Sequence, residues 1–229
     1  MRARLIESVE IAPDVRHFVF EIPELKKVEF IPGQFVSFTD EVGGKQITRA
    51  YSIASAPSDN NRFALCLNLV KEGIFSPHLF AMKPGDTVET RPPLGQFVLR
   101  HPDREAIFIA TGTGIAPFRA MLQAHLKETS AAFTLIFGVR HEHSLMYRTE
   151  FEEMARRFPH FQFKPTLTRP TPRWTGRSGR VQTHLAEAIG ERRDVDVFLC
   201  GLKEMVDDVR RILKEMGFDR KQIIYEKYD

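Results

Sequence analysis

The pattern that most constrains the fold is a continuous apolar run followed by a glycine-rich turn and a helix-like segment. The run is Ala106 to Ala110, the turn is Thr111 to Pro117, and helical spacing of apolar residues continues from Phe118 to Glu128. A short, wholly apolar strand that leads into a helix is typical of a parallel sheet buried on both faces. The segment therefore predicts the first strand, turn and helix of an α/β domain.

The same alternation recurs through the rest of the chain. We predict these elements in order: strand Phe133 to Phe137, helix Ser144 to Arg157, strand Phe161 to Thr166, helix Val181 to Ile189, strand Asp196 to Cys200 and helix Lys203 to Met216. Strands that alternate with helices favour a doubly wound parallel sheet. We expect this α/β domain to occupy residues 101–229.

The first 100 residues follow a different pattern. Short runs rich in Val, Ile and Phe are separated at short intervals by Pro and Gly, which favours antiparallel strands closing into a β-barrel. One short helix is predicted from Ser76 to Met82, with Ser76 as its cap and Pro77 in its first turn. The fold class is therefore all-β plus α/β, and 229 residues leave room for two domains of about 100 residues each.

The cysteine count and the net charge limit the kinds of cofactor and partner that the chain can bind. The two cysteines, Cys66 and Cys200, are far apart, whereas an iron–sulfur cluster or a structural zinc site needs about four ligands. We therefore expect no metal site, and any redox chemistry has to use another cofactor. The net charge of +3 is too small to indicate nucleic-acid binding, and it fits either a weakly basic face for an acidic partner or a surface of mixed charge.

No targeting or membrane segment is expected. Glu7 interrupts the amino terminus before a signal-like apolar run can develop, and no stretch approaches the about 20 apolar residues of a membrane span. We therefore expect a cytoplasmic protein.

The glycine-rich turn is a candidate dinucleotide site. Gly112-Thr113-Gly114-Ile115-Ala116-Pro117 would let backbone amides approach a pyrophosphate at the positive end of the next helix. The pattern is GxGxxP rather than GxGxxG, so an ordinary strand-to-helix turn remains an alternative.

Three arginines indicate which dinucleotide would bind. Arg140 ends the second predicted strand of the α/β domain, Arg169 follows the third, and Arg180 precedes the next helix. Each alone reads as a surface residue. Together, at the carboxyl ends of successive elements, they favour NADP over NAD because arginine accommodates a 2′-phosphate.

In the barrel half, Arg49-Ala50-Tyr51-Ser52 places a cation and an aromatic ring on one face of a strand. Such a strand could lay Tyr51 against a flat ring while Arg49 holds a pyrophosphate. A barrel strand with one exposed arginine is the alternative interpretation.

These residues resemble the ferredoxin/flavodoxin–NADP reductase family of the plant and bacterial type. The resemblance covers essentially the whole chain and rests on six signatures in family order: Arg49-Ala50-Tyr51-Ser52, Gly73-Ile74-Phe75-Ser76, Pro93-Leu94-Gly95, Gly112 to Pro117, Cys200-Gly201-Leu202-Lys203 and Tyr225-Glu226-Lys227-Tyr228. It implies an FAD-binding barrel followed by an NADP-binding domain.

The resemblance also assigns roles. It implies that Arg49 pairs with the FAD pyrophosphate, Tyr51 stacks on the flavin ring, and Ser52 bonds near the reactive flavin nitrogen. The other implied FAD contacts are Ala50, Leu67, Asn68 and the phosphate-binding run Gly73, Ile74, Phe75 and Ser76.

On the nucleotide side, Cys200 is expected beside the nicotinamide, with Glu226 close to both Ser52 and Cys200. Cys200 could instead serve only as a small residue that shapes the pocket. Tyr228 matches a terminal aromatic that covers the flavin, although Asp229 follows it here. The remaining implied NADP contacts are Gly112, Thr113, Gly114, Ile115, Pro117, Arg140, Thr168, Arg169, Arg180, Gly201 and Met205.

The implied activity is hydride transfer between NADPH and FAD, and single-electron transfer between FAD and a separate, acidic ferredoxin or flavodoxin. We assume a monomer. Two other interpretations share the barrel signature: the reductase component of an oxygenase system, and a free-flavin reductase. A further one is an FAD-binding electron-transfer subunit of a larger complex, which the complete nicotinamide side disfavours.

Overall fold

A computed structural model describes residues 1–228. Within them the strands are β1 Arg2–Ala12, β2 Val15–Glu21, β3 Phe35–Val42, β4 Lys45–Ser52, β5 Arg62–Asn68, β6 Thr87–Thr90, β7 Ala106–Thr111, β8 Phe133–Val139, β9 Phe161–Leu167, β10 Arg177–Ser178, β11 Asp196–Leu202 and β12 Ile223–Tyr228. The helices are α1 Phe75–Ala81, α2 Ile115–His125, α3 Arg148–Arg157, α4 Leu185–Ile189 and α5 Lys203–Glu215.

The chain divides into two compact units. The first contains Met1–Leu99 together with Ala116–Ala124 of α2, and the second contains Arg100–Ile115 and the chain from His125 on. Within the first unit, the Arg119 guanidinium donates to the Ala54 carbonyl and the Gln123 side chain accepts from the Ala56 amide. We retain residue 100 as the proposed domain boundary, since the sequence pattern changes there.

The first unit is a six-stranded antiparallel sheet in the order β4-β3-β6-β1-β2-β5. Its two outer strands meet just beyond β4, where Ile53 bridges Leu65 of β5 and the Ala54 amide donates to the Ala64 carbonyl over 2.7 Å. This contact joins the ends of the sheet, so the predicted antiparallel barrel is confirmed.

Side chains at alternate positions along the strands fill the interior of the barrel. Buried residues recur at two-residue spacing: Ala3 and Leu5 on β1, Phe18 and Phe20 on β2, and Val36 and Phe38 on β3. Aromatic rings meet across strands, as where Phe20 lies edge-on to Phe38 at 4.9 Å between ring centroids. Large buried side chains of this kind supply most of the stabilising burial.

Helix α1 corrects one expectation. The residue before it is Ile74, and no side chain caps its amino end. The Ser76 hydroxyl instead accepts from the Val70 amide at 2.9 Å and so ties the preceding loop to the helix. Ser76 is therefore not a capping residue, because its hydroxyl is engaged by Val70.

The second unit is a parallel six-stranded sheet in the order β10-β9-β8-β7-β11-β12. Strands β7 to β10 extend in one direction, and the chain then returns to place β11 on the other side of β7. The doubly wound parallel fold is thus confirmed. In such sheets the crevice outside the carboxyl ends of the strands, where the order reverses, is the ligand site.

Three predicted helices differ in extent. Helix α2 begins at Ile115, directly after the 3-10 turn Gly112–Gly114, because Pro117 in its first turn needs no amide partner. The predicted helix from Ser144 is broken at Tyr147, whose φ of 56° is left-handed, so that α3 begins only at Arg148. The segment before α4, Val181–His184, is likewise a 3-10 turn.

Strand β12 was not predicted as a strand. Its residues Ile223 to Tyr228 pair in parallel with β11 from Val197 to Leu202. β-branched and aromatic residues dominate the segment, which suits it to an edge strand packed on α5.

Within the described residues, no helix is long and apolar enough to cross a membrane.

Candidate functional site

Glycines at the reversal point let two turns approach each other within the second unit. A Cβ on Gly114 would lie 2.3 Å from the Cys200 carbonyl oxygen, and one on Gly201 would lie 2.2 Å from Thr111 Oγ1. Gly201 also has φ +144°, and the Met205 methyl carbon borders the same position at 3.1 Å. Only glycine therefore permits the turn after β7 to contact the end of β11.

The same turn leaves space and an unused donor. Gly112 has φ +55° with nothing within 4 Å of where its Cβ would be, so its side of the turn is open. The buried Thr111 hydroxyl has no hydrogen-bond partner among the described residues. An open glycine beside an unsatisfied hydroxyl, at the start of α2, is a suitable place for a phosphate or a sugar hydroxyl. Thr113 is half-buried, whereas Ile115 and Pro117 are buried and anchor the helix.

The three predicted arginines lie at the ends of adjacent strands. The Arg169 amide donates to the Arg140 carbonyl at 2.8 Å, so the segments after β8 and β9 are adjacent, and Thr168 donates similarly to Val139. Arg180 follows β10, the next strand in the sheet. All three side chains are exposed, and none forms a hydrogen bond or ion pair with any residue from 1 to 228. Their guanidinium groups are therefore available to an anion.

Cys200 is buried and shares one face of the sheet with two half-buried residues of the last strand, Glu226 and Tyr228. Pairing of β11 with β12 sets Cys200 opposite Glu226 and Leu202 opposite Tyr228. Burial, followed by the charge of Glu226, raises the pKa of the Cys200 thiol well above its usual value, and a hydrogen bond from Tyr228 only partly opposes this. The thiol is therefore neutral and has hydrogen-bonding contact with Tyr228 rather than the character of a reactive thiolate.

The opposite face of β12 is held by α5. Lys227 Nζ lies 2.6 Å from an Asp207 carboxylate oxygen, and the Arg210 guanidinium lies over the Tyr225 ring at 3.9 Å. Hydrogen bonds from Lys227 and Lys203 lower the pKa of Asp207 to about 2, so these pairs persist at neutral pH. Because side chains alternate along a strand, this attachment directs Glu226 and Tyr228 to the Cys200 face.

In the first unit, Arg49 and Tyr51 share one face of β4, in agreement with the alternation argument. They pair with Phe38 and Val36 of β3, which are both fully buried. Arg49 remains exposed, whereas Tyr51 stacks on Phe75 of α1 at 6.3 Å with 19° between the rings. Burial raises the pKa of Tyr51 to about 12, with the charge of Arg49 opposing the shift, so its hydroxyl stays neutral. Ala50 is exposed and Ser52 is buried.

The predicted phosphate-binding run forms a tight loop into α1. The Gly73 amide donates to the Val70 carbonyl, and a Cβ on Gly73 would lie 3.0 Å from that oxygen. Ile74 is 54% exposed, and no side chain caps the helix that starts after it. The first amides of α1 are thus left without a side-chain acceptor. Leu67 is buried and Asn68 exposed at the end of β5.

Comparison with known proteins identifies the family. The profile described as "Oxidoreductase FAD-binding domain" matches residues 2–99, and "Oxidoreductase NAD-binding domain" matches residues 108–211. Ferredoxin–NADP reductase B of Sorangium cellulosum is 39% identical, over 99% of this chain and 97% of its own length. The chain belongs to the ferredoxin–NADP reductase family. It is an oxidoreductase with an FAD-binding and an NAD-binding domain.

Other oxidoreductases are also similar to this chain in sequence or in structure. The toluate 1,2-dioxygenase electron transfer component of Pseudomonas putida is 32% identical over 89% of this chain, which spans only 60% of that relative. The structure of an Amycolatopsis cytochrome P450 reductase superposes with a TM-score of 0.89, 27% identity, and coverage of 99% and 69% of the two chains. A Neisseria gonorrhoeae ferredoxin NADP+ reductase with bound FAD and NADP has a TM-score of 0.85 over 99% and 98%, and at 24% identity it shows the shared fold.

The residues present fit both family cofactors. For a dinucleotide, the open side of Gly112 and the unsatisfied Thr111 hydroxyl lie at the reversal point of the sheet. For FAD, the exposed Arg49, the half-buried Tyr51 ring and the uncapped start of α1 supply a cation, a flat apolar surface and free amides. These donor sets suit a diphosphate joined to aromatic rings.

Sequence reasoning missed some residues at the site. Thr111 was passed over, although its place directly before Gly112 was a usable signal. Asp207, Arg210 and Lys227 were also missed, because nothing in their spacing shows that α5 contacts the last strand.

Proposed function

We propose that this protein is an NADPH-dependent ferredoxin or flavodoxin reductase. The observation that carries the choice of NADPH is the set of three exposed arginines, Arg140, Arg169 and Arg180, at the ends of adjacent strands. A 2′-phosphate carries the charge that such guanidinium groups bind through paired hydrogen bonds. NADH offers only hydroxyls there.

The barrel residues hold and orient FAD in this proposal. Arg49 balances the charge of the pyrophosphate, and the amides of Ile74, Phe75 and Ser76, which follow Gly73 in this turn, donate to its oxygens. Tyr51 presents a neutral ring, held against Phe75, on which the flavin stacks. Ser52 donates near the reactive flavin nitrogen, and the ends of β5 at Leu67 and Asn68 contact FAD through their backbone.

The residues of the second unit position the nicotinamide nucleotide. The turn from Gly112 to Pro117 receives the pyrophosphate, while Thr168 supports the arginines that bind the 2′-phosphate. Gly201 and Met205 border the nicotinamide, and the neutral Cys200 thiol forms an uncharged wall beside it. Glu226 and Tyr228 then control access to the nicotinamide site.

FAD held by these barrel residues would supply the redox chemistry: it would accept a hydride from NADPH and release the two electrons one at a time. The work of the protein is to hold the reacting groups in position and to exclude water while transfer occurs. Because the Cys200 thiol is neutral, it places no negative charge against the nicotinamide ring.

The proposed partner is a separate, acidic one-electron carrier. With two cysteines, both buried and neither in a disulfide, the chain offers no set of thiolates for an iron–sulfur cluster of its own. A net charge of +3 suits an acidic protein at the docking surface.

A panel of acceptors tests this proposal. The FAD-loaded protein, given excess NADPH, should reduce ferredoxin or flavodoxin with a kcat/KM at least tenfold above that for free flavin. The rate should fall as salt rises, because the association is steered by charge. Fastest reduction of free flavin, or no salt dependence with either carrier, would contradict the proposed partner.

A second candidate is the reductase component of an oxygenase system, favoured by the 32% identity to the toluate 1,2-dioxygenase component. It predicts rapid reduction of an oxygenase-type iron–sulfur protein and slow reduction of flavodoxin. Adding such a carrier to the same panel separates the two candidates.

A further inference from the structure

The segments that carry the three arginines contain a single carboxylate. From Arg140 to Tyr147 and from Thr168 to Arg180, the only acidic residue is Glu142, whereas the second segment alone contains four arginines. Glu142 lies two residues beyond Arg140, at the start of a 3-10 turn. An acidic residue after the second strand of a dinucleotide domain normally binds the ribose hydroxyls of NAD and repels a 2′-phosphate. Its presence beside an NADP-type arginine set is therefore unexpected.

The structure shows what neutralises Glu142. Arg148, the first residue of α3, places Nη1 2.6 Å from a Glu142 carboxylate oxygen and Nε 2.7 Å from Glu152. Hydrogen bonds to both carboxylates raise the pKa of Arg148, so the ion pair is intact throughout the neutral range. The charge of Glu142 is thus satisfied within the protein.

Arg148 also reaches the second arginine-bearing segment. Its guanidinium lies over the Trp174 ring at 5.5 Å, and the Trp174 indole donates to the Arg177 carbonyl at 2.8 Å. Gly176 permits this arrangement, since a Cβ there would lie 2.4 Å from the indole. Arg148 therefore contacts both loops, while Glu142 and Glu152 neutralise its positive charge.

The neighbouring backbone brings these groups close to the arginines. The Arg169 amide donates to the Arg140 carbonyl, and a ring nitrogen of His141 lies 3.1 Å from the Arg169 carbonyl oxygen. Glu142 is the residue after His141, so a carboxylate released from Arg148 would lie close to the segments that carry Arg140 and Arg169. A carboxylate and a phosphate compete for the same guanidinium groups.

We propose that Arg148 determines nucleotide specificity as a positioning residue: by holding Glu142, it leaves Arg140 and Arg169 free for a 2′-phosphate. This inference rests on the proposed use of NADPH. Arg148 acts through Glu142 and does not bind the nucleotide itself.

Direct binding to the FAD-loaded, full-length protein tests the proposal. Isothermal titration gives the Kd of NADP+ and of NAD+ without turnover, and the emission of Trp174, the single tryptophan, reports binding at this loop. We expect Arg148→Gln to raise the Kd of NADP+ about tenfold, because the substitution releases a negative charge beside the phosphate. The Kd of NAD+ should change less than twofold.

The decisive variant removes the carboxylate as well. Glu142→Gln alone should keep or tighten NADP+ binding, and Arg148→Gln/Glu142→Gln should return it to within about threefold of the wild-type value. Arg156→Gln is the matched control: Arg156 lies on the same helix, with a 3.9 Å ion pair to Glu153 and a 3.4 Å hydrogen bond to the Glu152 carbonyl, and its replacement should change the binding of neither nucleotide.

Two outcomes overturn the inference. If Arg148→Gln leaves NADP+ affinity unchanged, Glu142 does not compete with the phosphate. If the double variant stays as weak as Arg148→Gln, Arg148 contacts the nucleotide or supports the loop directly. If the proposed use of NADPH were itself wrong, the wild-type protein would bind NAD+ as tightly as NADP+, a result that differs from both of these outcomes.

Discussion

Replacing Arg140 or Arg169 with alanine is expected to weaken NADPH binding by about tenfold to a hundredfold while leaving NADH nearly unchanged. A hydrogen bond to a charged group contributes about 1.5–3 kcal/mol, and each 1.4 kcal/mol corresponds to a factor of ten. Both guanidinium groups are exposed and bind no described residue, so their removal breaks no internal ion pair. The loss should therefore fall on the 2′-phosphate alone.

The ratio of kcat/KM for NADPH to that for NADH measures this effect. Most of the change should appear in KM, because the arginines lie far along the nucleotide from the transferred hydride. Arg211→Ala on α5, an exposed arginine paired with Glu215, is the control and should not alter the ratio. Equal losses for NADPH and NADH would contradict the assignment of the arginines to the 2′-phosphate.

Removing Arg4 from the barrel is expected to lower the free energy of unfolding by about 3 kcal/mol. Glu21 on β2 is only 7% exposed, and its carboxylate accepts from Arg4 Nε at 2.8 Å, while Arg62 lies further off at 3.6 Å. Arg4→Met therefore leaves a buried carboxylate with one distant partner. Such a charge costs more than the ion pair itself contributes.

Urea denaturation followed by circular dichroism measures the change. Arg2→Met is the matched control, since Arg2 lies two residues earlier on β1 and its side chain makes one long hydrogen bond, of 3.3 Å to the Thr87 hydroxyl. The variant Arg4→Met/Glu21→Leu should be more stable than Arg4→Met, because the buried carboxylate is gone. If Arg4→Met unfolds within about 0.5 kcal/mol of the wild-type protein, Glu21 does not depend on Arg4.

The sequence was sufficient to predict the architecture of both units. Strand β7 has no polar residue from Ala106 to Ala110, and in the structure all five are completely buried between the two faces of a parallel sheet. The alternation of Phe18 and Phe20 in β2 likewise predicted a strand with one buried face. Patterns of this kind reflect which positions are buried, and they can be read for each strand or helix without knowing how the others are arranged.

Boundaries were less predictable where one residue departs from the local preference. Apolar spacing continues through the segment from Ser144 to Arg157, yet Tyr147 adopts a left-handed conformation that separates the 3-10 turn from α3. Ser76 has the composition of a cap, but a contact with Val70 decides its role. Neither feature has a signature in the spacing of apolar residues.

The site was predictable as separate motifs but not as an arrangement. The glycines of the turn after β7 are visible in the sequence, whereas their close approach to Cys200 and Gly201 depends on β11 returning beside β7. The contact between Cys200 and Tyr228 similarly depends on the pairing of β12. Arg148 and Glu142 are six residues apart, a spacing that no regular helix brings together.

The central claim, that this chain carries FAD and reduces it with NADPH, is tested most directly by anaerobic titration of the purified protein. We predict that FAD remains bound through purification and that its visible absorbance is bleached rapidly by about one equivalent of NADPH. The same amount of NADH should bleach it far more slowly. A protein that retains no FAD, or whose flavin NADH reduces as fast as NADPH does, would contradict the account.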